Sequence, residues 1–248
     1  SIANGQEENK GENKDINYLG YYQFSRNYKT DNNFFEKYKN KKIIAVFTGT
    51  YSEFAGVPGY DTSDDFCKTF YDGVEFLQKK AKIPSNTILV VRWHPNSRHI
   101  QGGERQRLNF LMNSSPENVI HIPPDSDFSS YSFIDKCTKV IGFGSSISIE
   151  SCLRSKPVLF VGRNMFQNLK CFKNAHSFED IQHFISSNSD DIGNSNDAMA
   201  WGIYFSSFGN NSFKNLLQKE PKVFFYNSKS IKSPIMSYLS KAKKMLNI

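Results

Sequence analysis

A chain of 248 residues is long for one ordinary domain and short for two full ones, and its 38% hydrophobic content can fill a sizeable core, which excludes a disordered or fibrous protein. The net charge of +7 suits an anionic ligand, nucleic acid or an acidic membrane surface. That charge is spread out, with local runs only at 37–42, 78–82 and 241–244 and no compact basic-aromatic module, so nucleic acid is not an expected partner.

The opening stretch, 1–40, is polar and reads as an extension or linker. "KKIIAVFTGT" (41–50) is a buried strand ending in small residues. "TSDDFCKTFYDGVEFLQKKAK" predicts a helix with Thr62 or Ser63 as cap, acids in its first turn, and Phe66, Phe70, Val74, Leu77 and Ala81 at helical spacing. "NTILVVRWHP" (86–95) is a second apolar strand, stopped by Pro95. A short helix at 104–113, a strand at 118–124, a helix at 129–137 and a strand at 139–144 follow. A helix at 146–155, a fifth strand at 156–163 and a helix at 177–187, capped by Ser177 with Asp180 in the reciprocal position, complete the alternation. Continuously apolar strands alternating with helices predict an α/β fold, a Rossmann-like parallel sheet with helices on both faces, over residues 41–190.

Residues 191–248 read as a C-terminal helical extension. Trp201, Tyr204, Phe205 and Phe208 share one helical face, and an amphipathic last helix opens with Ser233 as cap and Pro234 at its first position. That helix covers this domain's own sheet or docks on a second domain. The four cysteines, 67, 137, 152 and 171, form no CxxC pair and read as reduced packing residues, neither a disulfide frame nor a zinc site. The expectation is a cytoplasmic protein without a membrane span. The basic faces leave peripheral association with the inner face of the membrane as a further reading.

In an open parallel sheet, ligands bind beyond the carboxyl ends of the strands. The five predicted ends read "TGTYSEF", "RWHPNSR", "PPDSDFSSY", "GFGSSISIE" and "GRNMF", all rich in small, hydroxyl or basic residues. In the fourth, Gly142 and Gly144 let backbone approach a ligand, Ser145 and Ser146 can donate to phosphate at a helix start, and Glu150 can accept both hydroxyls of a vicinal diol such as ribose. Taken alone, the segment reads equally well as a helix cap followed by a solvent-exposed glutamate. In the second, Arg92 and His94 share a strand face while Trp93 points away. Arg92 can fork a phosphate, and His94 can donate to a phosphate oxygen or protonate a leaving group.

The set "VVRWHPNSR" with "VIHIPPDSDFSSYSFIDKCTKVIGFGSSISIESCLRSKPVLFVG" resembles the C-terminal, donor-binding half of bacterial capsule and surface polysaccharide glycosyltransferases of the GT-B fold. "TGTYSEF" is similar to their loop after the first strand. Arg154-Ser155 departs from the pattern where a glycine usually precedes Lys-Pro. The resemblance implies a nucleotide-sugar donor as substrate, a saccharide or glycolipid acceptor, and no cofactor or metal; the sequence has no DxD motif apart from "DSD" at 125–127, in a loop after two prolines. It implies that Arg92 and His94 neutralise the leaving phosphate, with Arg98 in the loop above, and that Ser145 and Ser146, after Gly144, hold the phosphates. It implies Glu150 for the ribose, Asp125 to Ser130, including Ser126 and Ser129, beside the nucleobase, and Ser52 and Glu53 facing the sugar or acceptor. An N-terminal Rossmann domain would carry the acceptor site, so the chain is expected to bind donor and to catalyse little alone. A nucleotide-sugar epimerase of the related two-Rossmann type, and a non-catalytic interaction module built on the aromatic segment 198–208, are the alternatives.

Overall fold

Strand β1 (Lys42–Thr48) is apolar almost throughout, and every residue after Lys42 is buried. β2 (Thr87–Arg92), β4 (Lys139–Phe143) and β5 (Val158–Val161) are buried along their whole length, whereas β3 (Val119–Ile122) is half-buried at its centre. A two-residue strand, β6 (Lys173–Asn174), was too short to be read from periodicity. The computed structural model describes residues 30–50, 66–162, 166–188 and 191–207, with side chains to 203 in the last stretch. Among these the strands form one sheet in the order β3-β2-β1-β4-β5-β6, every neighbouring pair parallel. Burial on both faces is what the uninterrupted apolar runs require. The fold is the expected Rossmann-like α/β architecture.

The two sheet faces follow residue parity. Ile44, Val46, Leu89, Val91, Trp93, Ile141, Phe143, Leu159 and Val161 form one core. Helix α2 (Phe70–Lys79) contributes Tyr71, Val74 and Leu77 to it, α3 (Gly102–Asn113) contributes Leu108 and Leu111, and α6 (Phe178–Ser186) contributes Ile181, Phe184 and Ile185. On the other face Phe47 meets Phe133 of α4 (Ser130–Lys136), ring centroids 5.8 Å apart. Helix α5 (Ile147–Leu153) packs on β4 and β5 there.

Two local expectations are corrected. The α2 cap is Thr69, whose Oγ1 accepts from Asp72 N while an Asp72 carboxylate oxygen accepts from Thr69 N. This reciprocal box puts the cap seven residues after Thr62, and Thr62 and Ser63 lie outside the described residues. Asp180 accepts from His176 N, at 2.8 Å, so the reciprocal bond reaches one residue before the Ser177 cap. A further helix, α1 (Asn32–Lys37), falls within the stretch read as linker. Its half-buried Phe34 and Phe35 have rings 5.4 and 5.6 Å from that of Phe128, so aromatic packing places a helix in a stretch whose composition is polar.

The chain divides into a unit of residues Asn27–Ala198, which holds the sheet, and a unit of Ser1–Arg26 with Met199–Ile248. Helix α7 (Ser195–Ser207) runs across that division. Of the expected aromatic face only Trp201 has a described side chain, and the expected last helix lies outside the described residues. The four cysteines are buried, and none forms a disulfide. No helix among the described residues is long and apolar enough to cross a membrane.

Candidate functional site

The sheet order reverses between β1 and β4. Successive strands run outward from β1 to β3, and the chain then returns through α4 to place β4 on the other side of β1. Crossovers on opposite faces leave a crevice at the carboxyl ends of those two strands. Thr48 is in register with Phe143, so Thr48-Gly49-Thr50 and Phe143-Gly144-Ser145 meet at that crevice. Gly49 N donates to Phe143 O at 2.9 Å, and a Cβ on Gly49 would stand only 3.2 Å from that oxygen. Gly144 turns the chain with φ of 66°, a region glycine enters without penalty. Ser145 is buried and Ser146 half-buried.

Gly142 has a different task from the expected one. A Cβ there would lie 1.9 Å from Ser148 Oγ, so its missing side chain lets α5 settle on β4. Ser146 precedes the helix without making a side-chain capping bond. The side-chain capping alternative for Ser146 therefore fails. The solvent-exposed alternative for Glu150 fails as well. It is 6% exposed, and its Oε2 is buried without a partner among the described residues. Burial raises its titration to about 7, opposed by nearby Tyr131 and by the Arg154 charge.

His94 continues β2 beside the crevice, its backbone N donating to Thr48 Oγ1 at 3.0 Å. Its Nδ1 accepts from Asn96 N at 3.1 Å, as the chain turns through the 3₁₀ segment Pro95–His99. That bond leaves the ring proton on Nε2 and makes that nitrogen the donor. Burial, and then the Arg92 charge, lowers its titration to about 4, so the ring is neutral at pH 7. Of the two roles open to His94, hydrogen-bond donation suits a neutral ring, whereas rapid proton transfer suits a cation.

Arg92 is placed otherwise than expected. It is 2% exposed, and its guanidinium donates to the carbonyls of Trp93, Pro123 and Ser126 at 3.2, 2.5 and 3.0 Å. It pins the loop after β3 in place instead of presenting an open fork to a phosphate. In that loop Ser126 Oγ accepts from Phe128 N, and Ser129 Oγ accepts from Ser132 N as the cap of α4. The two serines shape the loop from within. Arg98 is exposed, with Nε donating to His99 Nε2 at 2.9 Å. Ser52 and Glu53 lie outside the described residues, as do Arg163 to Met165 of the fifth strand end. Among the described residues no three His, Cys, Asp or Glu side chains cluster so as to hold a metal.

Sequence reasoning placed Asn96 with Arg98 in the loop over the site but did not single out Thr48.

No protein-family model and no curated protein sequence matches the chain. Solved structures similar to it include Anabaena HepE in complex with UDP and glucose, at 12% identity over 76% of this chain and 54% of that one, with a TM-score of 0.47. S. aureus MnaA with UDP is 17% identical over 74% and 50% of the two chains, TM-score 0.42. The Thermosulfurimonas dismutans β-Kdo 2,7 transferase KpsC is 16% identical over 70% and 54%, TM-score 0.40. Glycosyltransferases and UDP-N-acetylglucosamine 2-epimerases thus both stand among the similar structures, the two enzyme classes that the sequence resemblance named. The chain spans about half the length of each. Likeness at these TM-scores carries no argument about activity, and the functional reading rests on the residues themselves.

Proposed function

We propose that the chain is the donor-binding part of a metal-independent glycosyltransferase that uses a nucleotide-activated sugar, in bacterial capsule or surface polysaccharide synthesis. The observation that carries this reading is Glu150, a buried carboxylate whose Oε2 has no partner among the described residues, one helical turn beyond a glycine-serine turn at the switch point. A buried acceptor left unmade is costly and persists where a ligand supplies the donors. A ribose diol would do so. The hydroxyls of Ser145 and Ser146 would take the phosphates, and neutral His94 would donate through Nε2 to the phosphate that leaves. Charge developing on that phosphate would be stabilised by donors already in place. The base would lie along 123–130, a loop whose backbone Arg92 holds.

The acceptor, a saccharide or glycolipid, would sit on a second Rossmann-like domain. In this reading donor binding and transfer separate, and the present chain would carry the first without needing the second. Calorimetric titration with UDP, GDP, CDP and CMP tests it. One of them should bind, and Glu150→Ala should weaken it by about tenfold to a hundredfold, the loss of one or two hydrogen bonds to a charged group. No binding by any nucleotide, or a variant equal to its parent, overturns the reading.

A further inference from the structure

We propose that Phe34 and Phe35 of α1 are positioning residues for the base-reading loop at 123–130, which they hold through Phe128. The inference rests on the donor-site reading and adds an element that governs it: the stretch before β1 and the donor loop order together.

The loop is fastened in two ways. Its first half is held through backbone. The Arg92 guanidinium takes the carbonyls of Pro123 and Ser126, and Ser126 N donates to Pro123 O at 3.2 Å. Its second half is held through a side chain. Phe128 is 7% exposed, and its ring centroid lies 5.4 Å from that of Phe34, 5.6 Å from Phe35 and 5.8 Å from Phe133 of α4, each meeting edge to face. Phe133 belongs to the helix that follows the loop, whereas Phe34 and Phe35 come from the stretch before β1. Without α1, Phe133 would be the remaining ring neighbour of Phe128 among the described residues, and the side of Phe128 that α1 covers would face water.

Helix α1 depends on this contact in turn. Its six residues are too few for a stable isolated helix. It has a cap, with Asp31 Oδ1 accepting from Phe34 N at 3.0 Å, and a tie to α4, where the Thr30 and Ser132 hydroxyls lie 2.6 Å apart. Ser132 is the residue whose N donates to the Ser129 cap, so the tie and the rings both act where the loop enters α4. A marginal helix and a loop that share one aromatic contact loosen together, and a ligand that steadies the loop steadies α1 by the same factor. The consequence falls on selectivity. A loosened loop would offer its backbone groups to a base in many arrangements. Contact with the phosphates would survive, and discrimination between bases would not.

The experiment compares the parent with Phe34→Ala and Phe34→Tyr. Phe35 also lies beside Phe133, ring centroids 6.5 Å apart, so Phe34 is the residue to change. Hydrogen exchange without nucleotide comes first. In Phe34→Ala the amides of Ser126 and Phe128 should exchange about twofold to tenfold faster, the worth of one aromatic pair, while β2 and β4 keep the parent's rates. Phe34→Tyr keeps the ring and should restore the parent's behaviour. Titration with UDP, GDP, CDP and inorganic pyrophosphate follows. In Phe34→Ala the best nucleotide should lose affinity and its lead over the others should shrink, with pyrophosphate bound as by the parent. In the parent, that nucleotide should slow exchange from Phe34 to Tyr38. Unchanged exchange at 126–128, or faster exchange across the whole sheet, overturns the positioning role. So does a loosened loop that discriminates between bases as before. A loop that loosens locally in a chain that binds no nucleotide keeps the coupling and overturns the donor-site reading alone.

Discussion

At the scale of single residues, glycines and hydroxyls near the site do unlike things. Gly144 makes the turn, whereas Gly142 makes room for Ser148. Ser148 Oγ is itself buried and has no partner among the described residues. Gly142→Ala should therefore cost about 1–3 kcal/mol by overpacking. Ser148→Ala should be close to neutral, since it removes an unsatisfied hydroxyl, and the double variant should recover part of the loss because only Ser148 Cβ, at 3.2 Å, would remain. Denaturant melts of the three variants check this, and strict additivity would mean that the contact does not govern the packing. Gly142 also shows how far the sequence could be read. "GFG" announced a special backbone, but one glycine serves a turn and the other a strand–helix contact, and strand parity separates them only once α5 is known to lie on that face.

At the scale of elements, α2 shows local chemistry overriding a broader pattern. The apolar stripe from Phe66 to Ala81 suggests a longer helix, yet Thr69 and Asp72 start it at Phe70. Thr69→Ala should lower stability by about 1 kcal/mol, the usual worth of an N-cap side chain, read as a shift of the denaturation midpoint at unchanged slope. The pairing of β2 with β3 is likewise reinforced from the side. Trp93 Nε1 donates to His121 Nδ1 at 2.8 Å, and Gln78 of α2 lies 2.8 Å from the other ring nitrogen. This buried tie among two strands and a helix requires a neutral imidazole, because a proton on Nδ1 would face the indole N–H. Burial lowers the titration of His121 to about 4, in the same sense. Each half of the tie was visible in the chain only as an isolated Trp, His or Gln.

At the scale of the whole molecule, acid acts through groups of opposite sign. His94 and His121 titrate at about 4 when folded and near 6.5 when unfolded, so the unfolded chain binds more protons between those values. Their contribution is intact above pH 6.5 and is lost as pH falls toward 4. Glu150 titrates at about 7 folded against 4.5 unfolded, so its burial weighs against folding above pH 7 and is relieved on acidification toward 4.5. Melting temperature should therefore fall from pH 6.5 to 4, and more steeply in Glu150→Gln, which loses the compensating gain. At pH 8 the same variant should be more stable than the parent, by up to about 3 kcal/mol for a fully buried group. A parent and variant with parallel pH profiles would show that Glu150 is not buried as described.

Sequence alone determined the α/β class and the order of most strands and helices, because period and punctuation are local and both faces of a parallel sheet must be apolar. It also brought Ser145, Ser146, His94 and Glu150 forward as residues whose types suit phosphate and ribose. Tertiary structure decided what those residues do. It turned Arg92 inward to hold the loop at 123–126, used Ser129 as a cap, made His94 a neutral donor, and buried Glu150. Burial, tautomer and partner choice depend on groups tens of residues apart in the chain, and only the crossover that brings β4 beside β1 puts them within reach of one another.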